Sequence, residues 1–239
     1  MRITLLGSGD APGTPKVGCS CVQCRTARER GISRLRTSVL VELKEGKLLI
    51  DTSPDLRQQL LACGSPRIDA VFWTHGHYDH YIGYGEFYRV QPPPPVYAAE
   101  EVMEYCAGFF SFLKFGECEI EPCCPFGILG SEATIFPVNH PPALTYGIRI
   151  EEAGRIFAYT SDTRRDIPAG SMELLQGADL LLVDAIVPPD IHLSKHMNYR
   201  EACELAHEVR AREFRCVHMS HMIPWDLPHT AMDMESFEI

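Results

Sequence analysis

The chain has 239 residues, of which 45% are hydrophobic and 23% are charged, so it is long enough to bury a sizeable core. This composition excludes an intrinsically disordered protein. The formal net charge of −10 disfavours a broad nucleic-acid-binding face, because an acidic surface repels the phosphate backbone. A small phosphate-bearing substrate stays compatible with that charge, since a metal centre supplies positive charge locally.

The chain contains ten cysteines and ten histidines, which are the unusual counts in its composition. Its first residues offer only a short apolar stretch before Gly7, too short for a secretory signal peptide. No run approaches the roughly 20 apolar residues of a membrane-spanning helix. We therefore expect a cytoplasmic protein without membrane association. In that reducing compartment, clustered cysteines indicate a metal site rather than disulfides.

The hydrophobic pattern predicts strands that alternate with helices, which is typical of a layered α/β domain. We predict strands at 3–6, 38–43, 47–51, 70–73, 96–98, 134–138, 146–150, 156–160, 180–183 and 215–218. Helices are predicted after an N-cap signal at Ser53-Pro54, ending at Gly64, and at 100–112 and 198–211. We expect residues 1–239 to form one domain, because no repeat or low-complexity tract interrupts this alternation.

The sequence THGHYDH, from Thr74 to His80, directly follows the predicted strand at 70–73. It places four ligand-type side chains within six residues at the end of a strand: His75, His77, Asp79 and His80. Neutral imidazoles and carboxylates are donors that suit zinc, manganese or iron. A loop here can turn two of these side chains toward one metal and two toward a neighbouring metal. A polar turn with incidental histidines is the alternative.

This motif resembles that of the metallo-β-lactamase superfamily, and the later residues His140, Asp162 and His218 follow or end predicted strands in the expected order. The resemblance covers nearly the whole chain and implies a four-layer αββα sandwich with two divalent metals, zinc or manganese. The ligand sets that it implies are His75, His77 and His140 for one metal, Asp79, His80 and His218 for the other, and Asp162 as the bridge. His77 stands where oxygen-reducing diiron relatives carry a glutamate, which favours hydrolysis.

Three cysteines spaced by one and two residues, Cys19, Cys21 and Cys24, form a compact set of thiol ligands for a tetrahedral metal. His221 is the candidate fourth ligand. The pattern resembles the branch of the superfamily that contains the phosphoribosyl cyclic phosphate phosphodiesterases of phosphonate breakdown, and it implies one structural zinc. The resemblance assigns His218 to the dinuclear site and His221 to this zinc. The swapped assignment and three free thiols are the alternatives.

We predict His196 and Asp79 as catalytic residues. The resemblance places His196 beside the metals, where it would protonate the leaving oxygen or stabilise charge on the phosphoryl group. The alternative is a surface histidine at a helix entry, and His192 is its rival. Two acidic residues at strand ends, Asp51 and Asp184, either orient a metal-binding imidazole or serve as turns and caps.

The remaining cysteines carry no predicted function. Cys118, Cys123 and Cys124 are predicted in a loop, as free thiols rather than as a third metal site. Four others are predicted in the core: Cys63, Cys106, Cys203 and Cys216.

Together these features predict a metal-dependent phosphodiesterase for a small phosphodiester, and the resemblance implies a cyclic ribose phosphate. Alternatives on the same metals are a tRNA 3′-processing endonuclease, a lactonase or a thioesterase, although we find no Lys/Arg-rich insertion to grip tRNA. The alternative from another class is a non-catalytic accessory protein, like relatives in pyrroloquinoline quinone biosynthesis. The resemblance further implies a homodimer, and we expect no broad nucleic-acid binding.

Overall fold

Two mixed β-sheets form the centre of the computed structural model, which describes all 239 residues. In chain order the strands are β1 (Arg2–Gly7), β2 (Ser38–Leu43), β3 (Gly46–Ile50), β4 (Ala70–Phe72), β5 (Val96–Ala98), β6 (Glu117–Glu119), β7 (Phe126–Ile128), β8 (Ser131–His140), β9 (Ala143–Glu152), β10 (Arg155–Tyr159), β11 (Leu180–Asp184), β12 (Glu213–Val217) and β13 (Ser236–Glu238). The helices are α1 (Val22–Arg30), α2 (Leu56–Ala62), α3 (Tyr78–Tyr81), α4 (Glu100–Ala107), α5 (Ala169–Leu175) and α6 (Tyr199–Glu208). Short 3₁₀ helices at Ile82–Phe87 and Gly108–Phe110 follow α3 and α4.

The first sheet has seven strands in the spatial order β13-β1-β2-β3-β4-β5-β6, and the second has six in the order β12-β11-β10-β9-β8-β7. β3 to β6 pair in parallel, and so do β10 to β12. Parallel neighbours need crossover connections, and α2, α4, α5 and α6 lie in such connections. One cluster of 57 buried side chains includes residues of both sheets. The predicted α/β fold with an αββα arrangement is confirmed.

The predicted strands agree with the observed ones in position. β2 and β5 have the predicted bounds, and the largest differences are in the β8–β9 hairpin. Both of its strands extend several residues beyond the prediction, and they pair from Glu132 with Glu151 to His140 with Ala143. The outer ends of this hairpin carry exposed or charged side chains, so hydrophobicity does not mark them.

The sequence pattern gives no sign of α1, which follows the second cysteine of the cluster. Only Cys24 and Ala27 of this helix are buried, so it has no apolar stripe to detect. Its ends are stabilised instead. The backbone N–H of Cys24 donates a 3.5 Å hydrogen bond to the Cys21 sulfur, and Gly31 ends the helix with a φ of 64°, in the left-handed region that favours glycine.

Three local predictions are wrong. The N-cap of α2 is Asp55 rather than Ser53, because the Ser53 hydroxyl accepts a hydrogen bond from the Asp55 N–H and forms a turn before the helix. The helix predicted at 100–112 ends at Ala107, where a 3₁₀ helix replaces it. Cys118 lies on the edge strand β6, paired with Tyr97, rather than in a loop.

The candidate ligands lie where strands end. His75, His77, Asp79 and His80 follow β4, His140 ends β8, Asp162 follows β10 and His218 follows β12. Asp51 and Asp184 occupy the same kind of position at β3 and β11. Both sheets therefore contribute side chains to one edge of the sandwich, and the site depends on their packing together.

A buried aromatic platform supports the histidine motif from behind. Trp73, directly before Thr74, is fully buried, and its indole N–H donates a 3.0 Å hydrogen bond to the Thr52 hydroxyl. Its ring lies edge-on to Tyr84, with centroids 5.2 Å apart, and is stacked with Phe110 at 5.8 Å. Such pairs stabilise a core beyond simple area burial, and they hold the start of the motif rigidly.

Gly83 provides a test of how closely this region is packed. A Cβ at this position would lie 1.9 Å from the Ser53 carbonyl oxygen, whereas one at Gly85 would meet nothing closer than 3.7 Å. We expect Gly83→Ala to lower the free energy of unfolding by about 2–3 kcal/mol, because backbone must move to relieve the overlap. Gly85→Ala is the matched control in the same 3₁₀ helix and should change stability far less. Equal effects in chemical denaturation would contradict the close approach.

Candidate metal centre

The structure brings all seven predicted dinuclear ligands together. The ligand atoms of His75, His77, His140 and Asp162 lie within 4.8 Å of one another, and so do those of Asp79, His80 and His218. These are the two sets that the resemblance implied. All these residues are buried except His77, which is half-buried.

The carboxylate of Asp162 lies between the two sets. Its Oδ2 atom is 3.6 Å from Nε2 of His75, 3.4 Å from Nε2 of His80 and 3.4 Å from Nε2 of His218. It is also 3.9 Å from Nε2 of His140. One carboxylate oxygen thus faces four imidazole nitrogens drawn from both sets, which is the position that a bridging ligand requires.

The ligand atoms of these residues are better placed to bind a cation than to form hydrogen bonds with one another. Nδ1 of His140 donates to the Lys195 carbonyl oxygen at 3.0 Å, so the lone pair of its Nε2 faces Nδ1 of His77 at 3.1 Å. Nε2 of His75, Nε2 of His80 and Oδ1 of Asp162 are buried without any hydrogen-bond partner. Buried polar atoms are normally paired, so this set fits divalent metal ions.

Asp51 orients the histidine motif from one side. Its Oδ2 accepts a 2.7 Å hydrogen bond from Nδ1 of His80. The same carboxylate accepts hydrogen bonds from the backbone N–H and the hydroxyl of Thr74, both at 2.9 Å, and that hydroxyl lies 2.9 Å from Nδ1 of His75. Of the two roles predicted for Asp51, the structure therefore favours orientation of imidazoles, which fixes the tautomer that a ligand needs.

Asp184 has the corresponding position on the other sheet. Its Oδ2 accepts hydrogen bonds from Nδ1 of His196 at 2.8 Å and from the Thr163 N–H at 3.0 Å. Its Oδ1 lies 3.7 Å from Nδ1 of His218. The ring of His196 stacks over His218 with centroids 5.2 Å apart and lies 4.5 Å from the ring of His140. His196 therefore faces the site rather than the surface.

The rival histidine points away. The side chain of His192 is 75% exposed, against 13% for His196, and it contacts Asn198 and Glu201 at the start of α6. His207 and His229 are exposed as well.

Charges within the site shift its pKa values in opposite directions. Burial lowers the pKa of His75 well below the ordinary value, with the nearby His80 adding to the effect. Burial also opposes protonation of His80 and His218, but the Asp162 carboxylate beside them raises the pKa of both well above normal. Burial would raise the pKa of Asp162, yet His218 and His80 hold it well below the usual range. The carboxylates therefore favour positive charge here, whether protons or metal ions supply it.

Three non-glycine residues at the site have left-handed backbone conformations. Asp51 has a φ of 61°, Ser161, directly before Asp162, has a φ of 55°, and His218 has a φ of 56°. Such conformations cost about 1–3 kcal/mol each and persist where the surroundings fix them. Each turns the chain sharply at the end of a strand, which aims the carboxylate or imidazole inward.

The second predicted cluster is also assembled. The sulfurs of Cys19, Cys21 and Cys24 and a ring nitrogen of His221 lie within 4.8 Å of one another. Nδ1 of His221 is 3.6 Å from the Cys19 sulfur and 3.4 Å from the Cys21 sulfur. The His221 contact and the Cys24 backbone N–H lower the pKa of Cys21 to about 6. A Cys₃His set with a stabilised thiolate suits tetrahedral zinc, and it leaves His218 to the dinuclear set.

Two residues near these clusters escaped prediction. Arg34 is buried, and its guanidinium donates hydrogen bonds to the carbonyl oxygens of Ser220, Ile223 and Pro224. Asp10 is buried with one carboxylate oxygen unpaired, and burial raises its pKa to about 6. Both lie in polar loop sequence, where the position of a charged residue in the chain gives no sign of burial.

The other predicted groups are not brought into the sites. Cys118, Cys123 and Cys124 form no metal-ligand cluster, and Cys123 and Cys124 are exposed. Cys106 and Cys216 are buried as predicted, whereas Cys63 and Cys203 are only partly buried.

Comparison with known families agrees with this geometry. The family described as "Beta-lactamase superfamily domain" matches residues 47–219, which include every candidate ligand of the dinuclear set. The chain belongs to the beta-lactamase superfamily. None of the helices of this superfamily member has the length and apolar character needed to cross a bilayer.

The superfamily member is similar to proteins with different names. It is 32% identical over 244 residues to an octanoyltransferase of Porphyromonas gingivalis, covering 96% of this chain and 48% of that protein. The chain thus spans about half the length of that relative. It is 30% identical over 229 residues to coenzyme PQQ synthesis protein B of Methylobacterium nodulans, covering 80% of this chain and 74% of that protein. A solved structure of a new diphosphatase from the PhnP family superposes with a TM-score of 0.89 at 30% identity, covering 100% of this chain and 97% of that one.

Metal analysis tests both clusters of this superfamily member. We expect about three metal ions per chain, two in the dinuclear set and one in the cysteine set. Cys21→Ser should lose about one of them and lower the melting temperature by about 5 °C or more, because a structural metal contributes its binding energy to folding.

Cys124→Ser is the matched control, since Cys124 is an exposed thiol outside the cluster. It should keep the metal content and melting temperature of the unchanged protein. If Cys21→Ser behaved in the same way, the cysteine set would have no structural metal.

Proposed function

We propose that this chain is a metal-dependent phosphodiesterase that hydrolyses a small phosphodiester. The observation that carries the proposal is the buried Asp162 carboxylate, with one oxygen 3.4–3.9 Å from four imidazole nitrogens of two ligand sets. Paired divalent cations are a common solution for phosphoester hydrolysis. Similarity to a PhnP-family diphosphatase over the whole chain supports phosphorus–oxygen chemistry rather than acyl chemistry.

The proposed ligand sets are His75, His77 and His140 for one ion and Asp79, His80 and His218 for the other, with Asp162 shared. When bound, two zinc or manganese ions would supply Lewis acidity, which activates water as the nucleophile and neutralises the phosphoryl oxygens. Asp51 holds the ligand ring of His80 and Asp184 holds the ring of His196, so that little reorganisation is needed when substrate arrives.

His196 is proposed to protonate the leaving group. Its Nδ1 is held by Asp184, and burial of the ring is outweighed by that carboxylate, which raises the pKa of His196. The opposite nitrogen is therefore free to serve the reaction. As the water oxygen bonds to phosphorus and releases a proton to solvent, the phosphorus–oxygen bond to the leaving group breaks. The leaving oxygen takes the His196 proton, and solvent then reprotonates His196. An open diester gives an alcohol and a phosphomonoester, and a cyclic diester gives one molecule that carries both the freed hydroxyl and the phosphomonoester.

The first substrate that we propose is a cyclic ribose phosphate. The Cys₃His cluster accompanies the dinuclear set, and this combination resembles the branch that contains the phosphoribosyl cyclic phosphate phosphodiesterases. Two divalent ions would bring four positive charges to the site, so the chain's net charge of −10 does not prevent an anionic substrate from binding there. We further propose a cytoplasmic homodimer without broad nucleic-acid binding.

A second candidate is the non-catalytic accessory role that the sequence leaves open, and similarity to coenzyme PQQ synthesis protein B keeps a role in cofactor synthesis under consideration. The complete ligand set counts against it. Other hydrolases on the same centre are a tRNA 3′-processing endonuclease, a lactonase and a thioesterase, and a substrate panel separates them.

Asp162→Ala tests the proposed function. Purified, metal-loaded protein should hydrolyse bis(p-nitrophenyl) phosphate faster than a lactone, a thioester or precursor tRNA. We expect Asp162→Ala to lower kcat/KM by at least about 100-fold, because the bridging ligand is lost. Circular dichroism should show that the variant stays folded.

Asp190→Ala removes a carboxylate that is 86% exposed and should leave the rate unchanged. Retained activity in Asp162→Ala would remove it as the bridge. Preference for the lactone or thioester would replace the phosphodiesterase proposal.

His196→Ala tests the proton donor through the leaving group. A cyclic ribose phosphate expels an alkoxide, which needs a proton, whereas p-nitrophenolate leaves without one. We expect His196→Ala to lower kcat by about 100-fold for the cyclic substrate and by much less for bis(p-nitrophenyl) phosphate. His192→Ala is the matched control and should change neither rate. An equal loss on both substrates would assign His196 to metal binding or structure instead.

A further inference from the structure

A groove of about 370 Å³ opens directly beside the candidate metal centre. Its floor includes Gly76 and His77 of the histidine motif, and its walls come from α4 and from the turn between β8 and β9. The size falls within the range of small-molecule sites, which are concave and largely apolar. His77 belongs to both the groove and the proposed metal site. A molecule bound at the metals can therefore extend into the groove.

Two large side chains on the walls are more than half exposed. Tyr105 on α4 is 56% exposed, and Leu144 at the start of β9 is 58% exposed. The Tyr105 ring packs directly on the motif, since a Cβ at Gly76 would lie 2.5 Å from its Cδ1 atom. Any larger residue at Gly76 would displace this ring. The ring also contacts Phe109 and Tyr81, with centroids 5.8 Å and 6.1 Å away, so its position is supported while more than half of it stays exposed.

The charge of the groove restricts what it can hold. Glu101 is its one charged lining residue besides the titratable His77, and the Tyr146 hydroxyl donates to its Oε2 at 3.3 Å. No lysine or arginine lines the groove. A second phosphate or a carboxylate would be repelled here. A neutral flat ring with N–H donors at its edge fits both the apolar walls and the carboxylate acceptor.

We propose that this groove binds a nucleobase-like heteroaromatic ring carried by the substrate, with Tyr105 as the stacking surface, Leu144 opposite and Glu101 accepting a hydrogen bond from the ring edge. This inference rests on the proposed phosphodiesterase function and narrows its substrate to esters of a nucleoside. Tyr105 and Leu144 then determine specificity through contact with the substrate's base and take no part in bond breaking.

Two substrates with the same leaving group test the groove. The p-nitrophenyl ester of thymidine 5′-monophosphate carries a base, and methyl p-nitrophenyl phosphate does not. We expect kcat/KM to be about 10-fold higher or more for the thymidine ester, the size of one base-stacking contact. Tyr105→Ala should remove most of that preference by raising KM for the thymidine ester, and Tyr105→Phe should retain it.

Tyr88→Ala is the matched control, because Tyr88 is a similarly exposed tyrosine, 48% exposed, outside the groove. It should leave both rates unchanged. Equal kcat/KM for the two esters, or equal losses in Tyr105→Ala, would overturn the groove assignment while leaving the phosphodiesterase intact.

If the protein hydrolysed neither of the two esters, the proposed function would be overturned instead. Calorimetric binding of thymidine 5′-monophosphate and methyl phosphate to the metal-loaded protein then still tests the groove. Binding of the nucleotide should be about 10-fold tighter and should weaken in Tyr105→Ala. Equal affinities would contradict the assignment.

Discussion

The buried carboxylate of Asp162 is the constraint around which the site is arranged. At 1% exposure, a carboxylate is costly unless positive charge or donors surround it. Four imidazole nitrogens within 3.9 Å provide those surroundings, and they come from the loop and helix α3 after β4, from the loop after β12 and from the end of β8. Since these strands belong to different sheets, the arrangement exists only when the two sheets are packed together. The candidate metal centre therefore forms only when the whole domain is folded.

Two further carboxylates extend the arrangement outward, one from each sheet. Asp51 at the end of β3 holds His80 at 2.7 Å, and Asp184 at the end of β11 holds His196 at 2.8 Å. Each carboxylate accepts a hydrogen bond from the ring nitrogen that faces away from the centre. The other ring nitrogen is then available to a metal or a substrate. His196 is thus held as firmly as a ligand, although the superfamily resemblance assigns it no ligand position. A side chain fixed in this way can transfer a proton with little reorganisation.

Sequence alone predicted the parts of this structure that depend on local pattern. The layered α/β class, most strands and both candidate clusters were readable, because apolar strands end at ligand-type residues and close spacing marks a metal-binding loop. The structure was needed for what depends on distant contacts. The left-handed turns at Ser161 and His218 are held by surrounding packing and not by glycine. The burial of Arg34 depends on carbonyl groups nearly 190 residues away along the chain.

Those carbonyl groups explain why the cysteine cluster matters to the dinuclear site. His218 and His221 are three residues apart, and each belongs to a different cluster. Arg34 binds the carbonyl oxygens on both sides of His221, and its guanidinium lies 4.2 Å from the Trp225 ring centroid. Met219, one of the two residues between these histidines, is also held in place, since its backbone N–H donates to the Ser8 carbonyl oxygen at 2.9 Å. A metal at the cysteines would fix His221, and through this short, clamped segment it would fix the strained backbone of His218 as well.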